Sequence, residues 1–406
     1  MHRVVIIGGG ASGLFATIGA LREGNQVILI EKNEKLGKKI YITGKGRCNL
    51  TNDVDKDEFF SNVISNPKFM FSPYNALSPQ MVIDFFVQNG MPIKVERGNR
   101  VFPISDKASD VTKTLEKFIT KNGAIIRLNE TVKRIITIDG QVKGVITDKD
   151  EIDCDSVIVC TGGISYPLTG STGDGYKFAK ELGHNLIAPK PSLVGIELKG
   201  NEFLSMQGLS LKNINFKAIY NEKTIYEDFG ELLFTHFGIS GPVVLSCSAK
   251  INRLDVDKIK FIIDLKPALD EKTLDARLLR EFSVNNNKSI VNVIRSLLPK
   301  TLIDIVLKRA SISPQKNCSE ITLKERNSLI SVLKTLVFEG KRLRGIEEAI
   351  VTAGGVDVKS INPKTMESKL IKGLYFAGEV IDVDGFTGGF NLQIAFSTGY
   401  LAGINA

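Results

Sequence analysis

The stretch that decides the fold is Arg3-Val4-Val5-Ile6-Ile7-Gly8-Gly9-Gly10-Ala11-Ser12-Gly13-Leu14. A run of β-favouring apolar residues enters G-x-G-x-x-G, and an Ala-rich helical pattern follows to Leu21. A second apolar run, Val27 to Ile30, ends on Glu31. Gly8 permits the tight strand-to-helix turn. Gly10 lets the backbone approach a pyrophosphate, and Gly13 lets helix and strand pack closely. The helix start at Ala11 and Ser12 offers free N–H groups and a positive dipole end to the phosphates. Glu31, about 20 residues on, is placed to accept hydrogen bonds from a ribose diol. Strand, glycines, helix, strand and acid in register predict a dinucleotide-binding domain. The stretch alone does not separate NAD from FAD.

The remaining 1–50 region is polar and rich in glycine. Lys32, Lys38, Lys39, Lys45 and Arg47 stand among Gly37, Gly44 and Gly46, where cations can neutralise phosphates. Cys48 follows Arg47 in a run without apolar neighbours, an unusual place for a free thiol. Residues 56–90 read as mostly helical, and 92–103 as a hairpin turning at Gly98-Asn99. A helix over about 108–121 is expected, capped by Asp106 or Ser109. Residues 131–147 form a short meander with its turn at Asp139-Gly140. Val132 stands where such a strand offers its backbone to an adenine. Asp155 to Gly163 is a buried strand ending in Thr161-Gly162-Gly163, glycine backbone that can lie against a cofactor. Asp174 precedes a helix.

Composition changes at Pro189-Lys190-Pro191. Short strands dominate from Leu193 to about Leu265, and helical periodicity from about Asp270 to Lys341, with Leu336 counted in the helical pattern. The expected domains are a discontinuous FAD domain, 1–190 and 351–406, and an insert, 191–350. Within the insert, 191–267 is read as a β-barrel and 268–340 as a helical subdomain. The last segment returns to the style of the first: Leu374 to Phe376 is a strand running into Gly378-Glu379. Asp384 to Gln393 then forms a second loop-to-helix start. The N–H groups near Gly389, Phe390, Asn391, Leu392 and Gln393 can point at a flavin carbonyl or the ribityl chain, and Asp384 can reach a ribityl hydroxyl. An NAD-only enzyme needs no such closing element, so FAD is the expected cofactor. With a single G-x-G-x-x-G, NADH or NADPH is expected only as a transient reductant.

Bulk properties narrow the setting. The 406 residues carry a net charge of +8, and 43% of them are hydrophobic. The excess is +4 over residues 1–200, +5 over 201–350 and −1 over 351–406. A basic surface favours polyanions such as RNA, although a basic protein with no nucleic-acid role has the same composition. No apolar run approaches the roughly 18 residues of a membrane span. Five cysteines without C-x-x-C and three histidines predict no metal site and a reducing, cytoplasmic setting.

Five motifs together carry a family resemblance: Gly8–Gly13; Gly44-Lys45-Gly46-Arg47-Cys48-Asn49-Leu50-Thr51-Asn52; Thr161-Gly162-Gly163; Phe234-Thr235-His236-Phe237-Gly238-Ile239-Ser240-Gly241-Pro242; and Gly378-Glu379 with Gly388-Gly389-Phe390-Asn391-Leu392-Gln393. The chain resembles the BaiN/YhiN-type flavoproteins over essentially its whole length. The resemblance implies an α/β, glutathione-reductase-like FAD domain with an inserted small barrel and helical subdomain. It also implies reduction of a conjugated C=C, either a uridine of 23S ribosomal RNA to dihydrouridine or a steroid enone. The candidate cofactor contacts are Gly8, Gly10, Ala11, Ser12, Gly13, Glu31, Lys32, Lys39, Gly44, Gly46, Arg47, Cys48, Asn49, Val132, Thr161, Gly162, Gly163, Gly378, Glu379, Asp384 and Gly389 to Gln393.

Such a reduction needs a proton donor beside the hydride source, and Cys48 and His236 are the candidates, with Cys48 preferred. Arg47 either binds substrate or pairs with Glu31 or Glu34. Lys341-Arg342-Leu343-Arg344 fits phosphate contacts with ribosomal RNA or an assembly intermediate. Two other readings stay open. One is a reductase of a small enone or an oxidase of a small amine. The other is an RNA- or protein-binding module whose flavin does not turn over. Steep salt dependence of RNA binding separates the first reading from the second, and flavin reoxidation by substrate separates both from the third.

Overall fold

The computed structural model describes residues 2–406. The chain divides into two units, Met1–Ser192 with Gly345–Ala406, and Leu193–Arg344.

The first unit is built on a five-stranded parallel sheet in the order Leu374–Phe376, Ser156–Val159, Arg3–Ile7, Gln26–Ile30, Ile125–Arg127. Central strands covered on both faces read as continuous apolar runs, and Val4 to Ile7 and Val157 to Val159 are all buried. The chain leaves Arg3–Ile7 toward one neighbour, Gln26–Ile30, and later returns on the other side as Ser156–Val159. Such a reversal opens a crevice at the carboxyl ends of the strands. Four segments leave from that edge: Gly8–Gly10, Glu31, Thr161–Gly163 and Gly378–Glu379. The meander is three-stranded, Val132–Ile138, Gln141–Thr147 and Glu151–Asp153. The helix Ala108–Lys121 starts from Lys107 with no side-chain cap, so neither Asp106 nor Ser109 caps it.

The first helix, Ala11–Arg22, packs against the last, Phe390–Asn405. Glycines set the approach. A Cβ on Gly399 would lie 2.1 Å from the Ser12 carbonyl oxygen, and one on Gly403 2.2 Å from that of Ala16.

The second unit contains a closed six-stranded barrel in the order Ile196–Leu198, Gly238–Ser240, Lys223–Phe234, Ser210–Tyr220, Lys260–Asp264, Leu336–Leu343. The closing strand begins at Leu336, a residue expected in a helix. Its apolar positions line the barrel core (Leu336 and Phe338 are buried), and the short run Leu336-Val337-Phe338 is ambiguous by periodicity. The barrel is therefore completed only after the helices Glu271–Val284, Lys300–Arg309 and Leu323–Lys334, which lie between its last two strands. Among the described residues, no helix is long and apolar enough to cross a membrane.

Candidate active site

The turn after the first strand fits a pyrophosphate. Gly8 has φ +102, and a Cβ there would strike the Cys160 carbonyl at 2.6 Å. A Cβ on Gly13 would sit 1.8 Å from the Gly8 oxygen, so turn and helix are in direct backbone contact. Gly10 is the opposite case: a Cβ there would meet nothing within 4 Å. The open space lies before the helix start, where the first-turn N–H groups of Ala11, Ser12 and Gly13 have no intrahelical acceptor. Glu31 is buried at the tip of its strand. Its Oε2 accepts the Gly9 N–H at 2.7 Å, and its Oε1 accepts Asn33 N and Nδ2 at 2.8 and 2.7 Å. Lone pairs remain on this carboxylate for a ribose hydroxyl. Val132 is buried at the first position of its strand. Thr161 adjoins Gly8, with a buried Oγ1 that has no partner.

The second half of the site is the start of the last helix. Gly389 caps it at φ +104, leaving the N–H groups of Phe390, Asn391 and Leu392 without intrahelical acceptors. Asn391 latches the preceding loop, accepting from Gly385 N at 2.9 Å and donating to Gly385 O at 2.7 Å. The segment Asn49–Asn52 lies against this helix start. Asn52 Nδ2 donates to the Gly388 carbonyl at 2.9 Å, and a Cβ on Gly389 would lie 2.4 Å from the Thr51 carbonyl. The buried Oδ1 atoms of Asn49 and Asn52 have no partner. Unfilled space at Gly10, two helix starts with uncommitted N–H groups and orphaned buried acceptors or hydroxyls at Asn49, Asn52 and Thr161 form a donor and acceptor set that FAD fits.

Several expected contacts are made differently. Cys48 lies wholly buried in the apolar core, not in a solvated loop. Burial pushes its thiol up to about 12, with a hydrogen bond from Thr43 opposing. A sulfur with no exposed surface cannot deliver a proton to a substrate, so the preferred catalytic assignment is withdrawn. The sequence misled because the apolar cluster that encloses Cys48 is assembled from segments distant in the chain. Arg47 pairs with neither Glu31 nor Glu34. It stacks on Phe102 at 4.2 Å and forms ion pairs with Glu96 and Asp106, which Lys94 shares. These carboxylate hydrogen bonds raise the Arg47 guanidinium pKa. The guanidinium is thus committed within the protein. It anchors a loop in which Gly44, Lys45, Gly46 and Cys48 all have positive φ.

Lys32 is held by Thr172 Oγ1 and Asp174 at 2.5 and 2.7 Å. Lys39 donates to Glu379 at 2.8 Å and to Ser165 Oγ at 2.7 Å. Both lysines are therefore matched by protein groups. Burial pushes the Glu379 carboxyl up. The Lys39 charge and hydrogen bonds from Lys39, Thr352 N–H and Ser165 outweigh it, holding the pKa below the usual carboxylate range. Gln393 differs from expectation too. Its N–H is bonded to Gly389 O, and its buried side chain accepts from Thr51 Oγ1 and donates to Leu77 O and Ser397. It braces the helix start from behind. Asp384 is buried, with Oδ2 accepting from Ser192 Oγ at 2.8 Å and its carbonyl accepting from Ile64 N–H.

Sequence reasoning missed Thr51, Asn52, Ser165 and Thr352. Thr51 and Asn52 stood in a quoted motif, and their polar side chains beside apolar Leu50 were the available signal. For Ser165 and Thr352 there was none, since the bond that joins them spans 187 residues.

In the second unit, His236 is exposed in a tight turn where Thr235 N donates to Gly238 O at 2.8 Å. Its ring meets Phe237 edge-on, 5.1 Å between centroids. The Lys341–Arg344 run is partly neutralised. Buried Glu197 bonds Arg342 Nε and Arg344 Nη1, each at 2.9 Å. Hydrogen bonds from the two arginines hold the Glu197 carboxyl below the usual range against its burial.

Comparison with known proteins agrees with this geometry. The HI0933-like protein Rossmann domain family matches residues 2–405. The chain is 32% identical over 413 residues to the 3-dehydro-bile acid delta(4,6)-reductase of Clostridium scindens, covering 99% of this chain and 98% of that one. It is 31% identical over 409 residues to the ribosomal RNA dihydrouridine synthase of Haemophilus influenzae, covering 99% and 97%. Among solved structures, a 3-ketosteroid-delta4-(5alpha)-dehydrogenase from Rhodococcus jostii shares the fold. Its TM-score is 0.51 at 16% identity, covering 100% of this chain and 96% of that one. With the motif, the crevice and the paired helix starts, these matches place the chain in the HI0933-like family of Rossmann-domain flavoproteins, as an FAD-dependent oxidoreductase.

Proposed function

We propose that this protein saturates a carbon–carbon double bond conjugated to a carbonyl, and that its substrate is a uracil ring of ribosomal RNA. The observation that carries the reading is full-length similarity to two relatives whose names both describe such a saturation. The net charge of +8 supports the RNA substrate over an apolar one. Bound FAD, reduced by NADH or NADPH, supplies hydride chemistry. The chain's own residues do the rest. The Gly8–Gly13 turn and its helix N-terminus hold the pyrophosphate, and Glu31 holds the ribose. The N–H groups of Phe390, Asn391 and Leu392, with the helix dipole behind them, stabilise negative charge at their end of the site. Asn52 and Gln393 fix that helix start. With Cys48 buried, His236, whose ring is exposed, is the remaining candidate for delivering the proton.

The test is mass spectrometry of 23S ribosomal RNA from cells with and without the gene. One uridine losing its two-hydrogen mass gain in the deletion is the expected result. An unchanged modification pattern overturns the RNA substrate. The 32% identity to a bile acid reductase favours a second reading, reduction of a small conjugated ketone. Oxidation of the reduced flavin by a steroid dienone, but not by RNA, would select it.

A further inference from the structure

Strand Ile196–Leu198 lies between Gly238–Ser240 and Leu336–Leu343 in the barrel. Ile196 and Leu198 belong to the barrel core, so Glu197 between them faces outward. It stands opposite Gly238 on one side and Arg342 on the other. One step on, the register slips. Leu198 stands opposite Gly340, which leaves Lys341 as the extra residue of a bulge. A bulge re-aims side chains, and here two consecutive residues reach the same carboxylate. Lys341 Nζ is 3.8 Å from Glu197 Oε2, and Arg342 Nε donates to that oxygen at 2.9 Å. Arg344 Nη1 donates to Oε1 at 2.9 Å.

Three cations thus converge on one carboxylate, so the cluster carries an excess of positive charge. That excess is accessible. The Lys341 and Arg342 side chains are 60% and 69% exposed, against 8% for Glu197. Arg342 engages Glu197 through Nε, and most of its side chain stays open to solvent. Aromatic surface adjoins the cluster. The Arg344 guanidinium lies over the Phe237 ring, 4.8 Å from its centroid, and that ring meets the exposed His236 edge-on. Phe237 is fixed in place. Its carbonyl accepts the Leu198 N–H at 3.2 Å, and its ring lies 2.7 Å from where a Cβ on Gly195 would be.

We infer that Glu197 is the positioning residue of an RNA grip: it gathers Lys341, Arg342 and Arg344 so that they hold the sugar–phosphate backbone of the substrate beside the His236 turn. This rests on the RNA reading proposed above. An arginine fork matches a phosphodiester oxygen pair. Aromatic rings next to cations suit unpaired nucleotides, whose bases stack on them.

The experiment uses the full-length, FAD-loaded protein and a fluorescein-labelled ribosomal RNA stem–loop, with anisotropy followed against salt. Each phosphate contact contributes about one unit of slope in log K against log salt. Lys341→Ala and Arg342→Ala, both at exposed side chains, should each lower the slope by about one and weaken binding roughly three- to tenfold at about 0.1 M salt. Arg342→Lys should keep the slope. Lys359→Ala, an exposed lysine of the other unit, should change neither. Glu197→Gln tests the gathering. It adds a net positive charge, so a surface acting through charge alone would bind RNA more tightly. Loss of the anchor should instead weaken binding roughly threefold or more. Glu197→Asp, which keeps the charge but shortens the reach, should weaken it likewise. If the parent binds RNA and both alanine variants keep its slope, the grip is overturned while the RNA reading stands. If the parent binds no RNA, both fall. Tighter binding by Glu197→Gln, or unchanged binding by Glu197→Asp, overturns the positioning role. If polyglutamate competes as well as RNA of equal charge, the surface reads charge alone and the backbone assignment is overturned.

Discussion

Gly10→Ala separates what the first turn does for the fold from what it does for the cofactor. Gly10 sits at φ −82, ψ −166, a conformation any residue adopts, and a methyl group there meets nothing within 4 Å. The free protein should bear the change easily. Alanine is a poorer helix N-cap than glycine, which costs about 0.5–1 kcal/mol and lowers the apoprotein melting temperature by no more than about 3 °C. Bound FAD is another matter, because the methyl occupies the space the pyrophosphate needs for contact with the backbone N–H groups. Losing one or two charge-assisted hydrogen bonds, at about 1.5–3 kcal/mol each, raises the FAD dissociation constant at least about tenfold. The assay is quenching of flavin fluorescence on titrating apoprotein with FAD, beside a melting curve of the same sample. Gly13→Ala is the contrast: its Cβ lies 1.8 Å from the Gly8 oxygen, so it should destabilise the apoprotein itself. A Gly10→Ala protein that binds FAD as tightly as the parent would refute the placement of the pyrophosphate.

Three further outcomes follow from the site and its supports. Cys48→Ala should keep its FAD and its turnover while losing about 1–2 kcal/mol of stability from the packed core; a tenfold fall in turnover at full flavin content would restore the thiol to the chemistry. Lys39→Met leaves the Glu379 carboxylate without its cation, the two side chains being 23% and 19% exposed. Denaturant melts at pH 7 should show a loss of about 2–3 kcal/mol. Because the folded Glu379 pKa lies below 4.5, the parent holds this contribution above that pH and loses it as pH falls through the folded value; an unchanged midpoint in the variant would count against the pair. His184 is buried, with Nε2 2.8 Å from Ser368 Oγ and Nδ1 3.3 Å from the Ala179 carbonyl. Burial lowers its pKa despite that carbonyl. The unfolded chain therefore takes up a proton below 6.5 that the folded chain refuses, and stability should fall with pH there by up to about 1.4 kcal/mol per unit. His184→Gln should flatten the profile between about pH 7 and 5, and a slope unchanged by the substitution would remove His184 as its source.

The parallel sheet was readable because its signals are local: apolar strands, glycines at fixed offsets and an acid closing the second strand all lie within residues 3–31. The barrel's closing strand was not. Leu336-Val337-Phe338 follows a helix directly, and the partners that make it a strand lie as far back as Ile196. The site divides the same way. The Gly10 space and the Gly389 helix start follow from glycine placement in the sequence. The environment of Cys48 is set by residues distant in sequence, and so are the partners of Arg47, up to 59 residues away. Gln393 shows the limit of a motif read one-dimensionally, since one turn into a helix its N–H is already spent and its side chain faces inward.

The packing of the first helix on the last has a consequence for the order of synthesis. The Gly8–Gly13 turn leaves the ribosome long before residues 390–405, which cover the Ser12, Ala16 and Gly19 face of its helix. At about 5–20 residues per second the wait is on the order of 20–80 s. Until then the small-residue face around Ser12, Ala16 and Gly19 lies uncovered, and only the ADP end of the cofactor has a binding surface. Flavin can therefore be locked in only once residues 390–405 have been made, and a ribosome stalled before residue 390 carries a nascent protein that FAD cannot stabilise.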